Sequence, residues 1–164
     1  MMELLKRMWN KNAESAANEI VAVADGRLLP MEQVPDPVFS EKMLGDGGAI
    51  ELSGDAVVAP ADGVVSMIFP TLHAFGLTMD NGIEILVHIG LDTVSLNGRG
   101  FKSGIKQGTP VKKGDPIIEV DREFVRAQGL NPITMMIFTQ TGGRSLTLTT
   151  GGNAEKGRSV VAAF

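Results

Sequence analysis

The chain of 164 residues contains no cysteine. That absence excludes disulfide frameworks, thiolate nucleophiles and cysteine-ligated zinc, and it agrees with a reducing compartment. No stretch approaches about 18 consecutive apolar residues, so nothing in the sequence reads as a membrane span. The first residues also lack the apolar run and small-residue cleavage site of a secretory signal, so the expected location is cytoplasmic. Excess positive charge is missing. The net charge is -4, which argues against nucleic acid or an anionic membrane as the main partner of the folded body. Nucleotide machinery is missing as well: there is no GxxxxGK[ST] loop and no kinase signature set, so nothing here grips ATP in a known way.

What the chain has in quantity is punctuation. It carries 20 glycines and 8 prolines, with charged residues at only 21%, a balance that suits many short elements joined by tight turns. Extended segments rich in Val and Ile recur at 19–24, 56–59, 64–69, 83–89, 116–120, 133–139 and 160–163. Turn signals separate them: Asp25-Gly26, Gly45-Asp46-Gly47-Gly48, Asp62-Gly63, Lys113-Gly114-Asp115 and Gly142-Gly143. The pattern predicts an all-β sandwich or barrel. Helices are expected only in the N-terminal tail and over 122–128. The length suits one domain over 19–164, large enough to bury a core without disulfides or metal.

An internal repeat supports a sandwich. The segment from Val21 to Met31 (VAVADGRLLPM) aligns with that from Val58 to Ile68 (VAPADGVVSMI), and each reads as strand, Asp-Gly turn, strand. Similar hairpins would then cover opposite sides of one core. Residues 1–18 precede the first β signal. There Met1, Leu4, Leu5, Met8 and Trp9 have helical spacing beside Lys6, Arg7 and Lys11. Two readings stand side by side: a basic amphipathic helix making weak contact with an anionic membrane surface, or a leader too short to be helical alone in water.

The two histidines, His73 and His88, flank Asn81-Gly82. Asn-Gly between extended segments is the strongest short-range hairpin signal, since a type I′ turn needs positive φ at both central residues. With those two as the loop, Asp80 pairs with Ile83, Phe75 lies opposite His88, and His73 lies opposite Gly90. His73 and His88 then share a face as diagonal neighbours, roughly 7–8 Å apart or less. On the second strand Ile83, Ile85, Val87 and Ile89 read as core, while Glu84, Leu86 and His88 point the other way.

Three chemistries compete for a histidine pair. Metal binding needs three or four ligands, and the strand adds only Glu84 and nearby Asp92, with no HExxH pattern. General acid–base catalysis needs a pocket and usually a nucleophile or carboxylate dyad, and no serine elbow or triad spacing is present. A nucleophilic histidine needs only a neutral imidazole with one ring nitrogen held and the other free. Gly90 offers a carbonyl to hold it, the second histidine can donate to transferred phosphoryl oxygens, and Thr71 is placed to orient His73. The third scheme uses every unusual feature of the hairpin. Without an ATP site, such a phosphohistidine must be charged by one phosphoprotein and discharged onto another.

Several motifs then coincide: VPDPVFSEKMLGDG at 34–47, VAPADG at 58–63, LHAFG at 72–76, ILVHIGLDTV at 85–94, GxGF at 98–101 and VKKGD at 111–115. Together they resemble the glucose-family enzyme IIA of the bacterial phosphoenolpyruvate-dependent sugar phosphotransferase system. The match runs in order from about residue 20, loosening beyond Asp121. The resemblance implies an antiparallel β-sandwich of the duplicated-hybrid-motif type and a phosphocarrier without cofactor or metal. It implies that phospho-HPr donates to Nε2 of His88 and that the cysteine of a sugar-specific IIB domain, on a separate chain, accepts. His73 matches the second active-site histidine, Thr71 its associated threonine, and Gly90 the source of the orienting carbonyl. Asp36 and Asp92 match acidic residues beside the site; Val38, Phe39, Met43, Leu44, Phe69 and Leu86 match the apolar ring on which HPr and IIB dock. A regulatory binding protein, reporting sugar status to protein targets through its phosphorylation state, is the alternative function.

Overall fold

The computed structural model describes residues 17–164. The predicted tail helix and its membrane reading lie outside the described residues. Within them the chain runs through β1 (Glu19–Val21), β2 (Gly26–Pro30), α1 (Pro37–Ser40), β3 (Asp46–Leu52), β4 (Ala56–Val58), β5 (Gly63–Ile68), β6 (Ala74–Thr78) and β7 (Ile83–Ile89). It continues through β8 (Phe101–Lys102), β9 (Pro110–Val111), β10 (Pro116–Val120), α2 (Arg122–Ala127), β11 (Thr134–Thr141), β12 (Thr147–Leu148), β13 (Asn153–Ala154) and β14 (Val160–Ala163). One eight-stranded sheet has the order β13-β2-β3-β11-β7-β6-β5-β9. Two three-stranded sheets, β1-β14-β12 and β4-β10-β8, complete the sandwich. Every pairing is antiparallel.

The sheet orders are palindromes. Matching β1, β2, β3, β11, β12, β13 and β14 with β4, β5, β6, β7, β8, β9 and β10 maps the large sheet onto itself and exchanges the small ones. The repeat read from the sequence is the chemical trace of this symmetry, and its hydrogen bonds repeat too. Val21 N donates to Pro60 O at 2.9 Å, and Val58 N to Val23 O at 2.7 Å. Asp25 accepts from Lys156 N and Asp62 from Lys113 N, both at 2.8 Å.

Alternation places the main core. Ile83, Ile85, Val87 and Ile89 of β7 are buried on the inner face, where they meet Ile20, Val57, Ile118 and Val161 from the small sheets. The opposite face carries a smaller cluster that includes Leu29, Ala49, Met135 and Ile137, covered by Met31, Val34 and Phe39.

Three local expectations need correction. The hairpin between β6 and β7 has a three-residue loop, not two. Met79 N donates to Ile83 O and Gly82 N to Met79 O, so Ala74 faces His88 and Phe75 faces Val87. Asn81 does not take positive φ; its side chain accepts from Ile83 N at 3.0 Å, and only Gly82, with φ +90°, is left-handed. This is the type I turn with a glycine bulge, the next most common hairpin connection. The run Gly45-Asp46-Gly47-Gly48, read as a turn, leads instead into β3. Glycine is needed there for close approach: a Cβ on Gly47 would lie 1.8 Å from the Met136 carbonyl oxygen of β11. Finally, α1 was not anticipated, whereas α2 falls within the predicted 122–128.

Candidate functional site

His88 lies on the outer face of the large sheet, in a row running Ala74, His88, Met135, Ala49, Leu29 across β6, β7, β11, β3 and β2. Its neighbours in that row are small or apolar and buried, so the imidazole emerges at the edge of a hydrophobic floor. One turn of helix brings a cover to it. Asp36 caps α1 by accepting from Val38 N at 2.9 Å, and Pro37 opens the helix with its φ already set. Phe39, on that turn, is thereby held with its ring centroid 5.1 Å from that of His88.

His73 reaches the same place by a different route than expected. Its carbonyl accepts from Ile89 N at 2.7 Å, so strict alternation would send its side chain to the inner face with Ile89. The residue before it, Leu72, has φ +57° and breaks the alternation ahead of β6. The His73 ring lies 5.0 Å from the His88 ring, nearly perpendicular at 81°. Phe69 packs edge-on against the far side of His73 at 5.1 Å. Four rings thus stand in sequence: Phe39, His88, His73, Phe69. Thr71 Oγ1 is 2.6 Å from Nδ1 of His73, which fixes the plane of that ring.

Gly90, with φ +83°, turns the chain at the end of β7. Its N–H donates to Ile133 O at 2.8 Å. Nδ1 of His88 is enclosed and makes no hydrogen bond of good geometry. The Gly90 carbonyl nonetheless lies near enough to favour the protonated ring. It is outweighed. Burial, then repulsion from His73, pushes the His88 pKa from 6.5 down to about 4, against the opposing pull of Gly90, Asp36 and Asp92. Burial lowers the pKa of His73 as well. Both rings are therefore neutral at physiological pH, each with one lone pair on nitrogen.

The sequence-predicted rim divides in two. Val38, Met43 and Leu44 are exposed at 41%, 68% and 45%, while Phe69 and Leu86 are half-buried. Phe39, expected on the exposed rim, is only 7% exposed and belongs to the cluster beneath it. The correction follows from α1: a one-turn helix has too little backbone to hold itself and is anchored by the burial of its aromatic residue. Met67 and Val94 are further exposed apolar residues that sequence reasoning missed. Met67 joins the rim through the register Met67, Gly76, Leu86, which the bulge in β5 hides from simple alternation. Asp36 and Asp92 lie close enough to act on His88. Among the described residues no three His, Cys, Asp or Glu side chains converge to hold a metal ion, and no helix is long and apolar enough to cross a membrane.

The family model of the phosphoenolpyruvate-dependent sugar phosphotransferase system, EIIA 1, matches residues 18–143. The chain belongs to this family. The solved structure of glucose permease IIA from Mycoplasma capricolum is similar to it at 41% identity, over 88% of this chain and 93% of that one, with a TM-score of 0.82. As an enzyme IIA, the protein is a phosphocarrier of sugar transport. The family match spans every strand that lines the histidine pair; β12, β13 and β14 lie beyond it.

Proposed function

We propose that this enzyme IIA accepts a phosphoryl group from phospho-HPr on Nε2 of His88 and passes it to the cysteine of a sugar-specific IIB domain. The observation that carries the reading is the half-buried, neutral His88 ring, with its Nδ1 enclosed, 5.0 Å from a second neutral histidine. In the first step the Nε2 lone pair forms a bond to phosphorus. The donor's phosphorus–nitrogen bond breaks, its electron pair returning to the donor imidazole. The proton on Nδ1 of His88 stays in place and faces the Gly90 carbonyl, so the phosphorylated ring carries a compensating positive charge. Thr71 donates its hydroxyl proton to Nδ1 of His73, which leaves the Nε2–H of His73 free to donate to the phosphoryl oxygens. In the second step a cysteine thiolate attacks the same phosphorus, and His88 leaves as a neutral imidazole. Val38, Met43, Leu44, Phe69 and Leu86 offer a modest apolar patch and Asp36 and Asp92 a charged rim, a combination that suits encounters needing fast arrival and fast release.

The test is to combine the protein with phosphoenolpyruvate, enzyme I and HPr and to measure acid-labile phosphate. His88→Ala is expected to accept none, and His73→Gln to accept phosphate but pass it on slowly to IIB. Robust labelling of His88→Ala would sink the assignment.

A further inference from the structure

We infer that Thr93 is a positioning residue for phosphoryl transfer, acting through the Gly90 peptide on the tautomer of His88; this deepens the reading above and rests on it. Thr93 is one of three buried polar residues in the described chain, with no exposed surface. Its hydroxyl donates to the Ile89 carbonyl in a short hydrogen bond. That carbonyl and Gly90 N belong to one peptide plane, and Gly90 N is itself bound to Ile133 O at 2.8 Å. The next plane, which carries the Gly90 carbonyl, is held through Leu91 N to Asn131 O at 2.9 Å. With both flanking planes fixed, the direction of the Gly90 carbonyl is fixed.

The methyl group of Thr93 does separate work. A Cβ on Gly90 would lie 2.4 Å from Thr93 Cγ2, so the methyl fills the space a side chain would need and keeps the turn at φ +83°. The chain returns Thr93 beneath Gly90 because Asp92 adopts the left-handed conformation, with φ +59°. One threonine therefore supplies a hydroxyl that pins the peptide and a methyl that packs the turn. The consequence falls on His88, whose enclosed Nδ1 has the Gly90 carbonyl as its nearby backbone acceptor. A carbonyl held there favours the tautomer with the proton on Nδ1, leaving the Nε2 lone pair to attack. A carbonyl free to turn away lets the inactive tautomer compete.

Two variants separate the functions of the side chain. Thr93→Val keeps the shape and removes the hydroxyl; Thr93→Ser keeps the hydroxyl and removes the methyl. Nitrogen-15 shifts of the His88 imidazole, read in the unphosphorylated protein at neutral pH, report the tautomer. Thr93→Val is expected to shift His88 toward a mixture of tautomers, and Thr93→Ser to retain the Nδ1–H form. In transfer from phospho-HPr, Thr93→Val is expected to lose about tenfold in kcat with KM little changed, and Thr93→Ser to recover most of it. A Thr93→Val protein that is less stable to urea yet keeps the wild-type tautomer and kcat would overturn the inference, leaving Thr93 a packing residue. The tautomer measurement needs no phosphate donor. Absence of phosphate on wild-type His88 would therefore refute the proposed function, while the imidazole shifts would still decide whether Thr93 sets the His88 tautomer.

Discussion

Burial and the neighbouring His73 hold His88 neutral down to about pH 4, where a free imidazole would protonate near 6.5. The same displacement makes stability depend on pH. Above 6.5 neither folded nor unfolded His88 binds a proton. As pH falls between 6.5 and about 4 the unfolded chain takes up a proton that the folded chain refuses, and stability drops by up to about 1.4 kcal/mol per pH unit. His73, also lowered by burial, adds in the same direction. Urea unfolding at pH 7 and pH 5 should show the drop, and His88→Gln should reduce it; an equal slope in the variant would assign the effect elsewhere. The placement of His88 opposite the core residues of its strand was legible in the sequence, but the burial that holds the ring neutral was not. Its meeting with His73 was foreseen on a wrong register. Immediately before His73 stands a left-handed Leu72, a backbone state that costs most side chains roughly 1–2 kcal/mol and that no sequence pattern announces for leucine. Packing of the Leu72 side chain against the main core holds it there.

At the level of elements, the site depends on a piece too short to be a helix alone. α1 is a single turn, and the ion pairs that follow it, Lys42 with Glu32 and Asp46, are surface contacts that contribute little. Phe39 is what fastens it. Phe39→Ala should cost about 3 kcal/mol through lost burial and the space left behind. It should also uncover His88, whose titration would then rise from about 4 toward 6.5. Urea midpoints and an NMR titration of the ring measure both; lost stability with an unmoved titration would mean that α1 does not shield the histidine. Strands β7, β10 and β14 were legible to the residue because Val and Ile runs bounded by turns are sufficient signals there. β3 was not, since Gly47 and Gly48 resemble a turn until their partner strand is known. The cap of α1 was readable in Asp36-Pro37, but one turn gives no periodicity to confirm it.

The whole molecule is two matched halves that share one core and carry the histidine pair only once, at the end of β7 and the start of β6. What joins the halves lies elsewhere. Asp25 and Asp62 occupy equivalent turns, and each receives a backbone N–H from a Lys-Gly turn, Lys156-Gly157 and Lys113-Gly114 respectively. Those two turns touch: a Cβ on Gly157 would lie 3.3 Å from Gly114 Cα. The amides of the same turns repeat the match within each half, Gly157 N donating to Ala22 O at 2.9 Å and Gly114 N to Ala59 O at 2.8 Å. The Asp25 side chain is 35% exposed and that of Asp62 63%. Asp25→Ala should therefore cost about 1–2 kcal/mol and Asp62→Ala less, because water screens the more exposed acceptor. Since the turns are in contact, the double variant should depart from the sum of the singles by more than about 0.5 kcal/mol. The carboxylates that act on His88 are Asp36 and Asp92, not these two, so phosphate acceptance per folded molecule should be unchanged in all three variants. Urea midpoints of the single and double variants, with labelling measured beside them, test both statements. Strict additivity would show that the matched turns stabilise their own halves independently, and a loss of labelling would show that the junction between halves reaches the histidine.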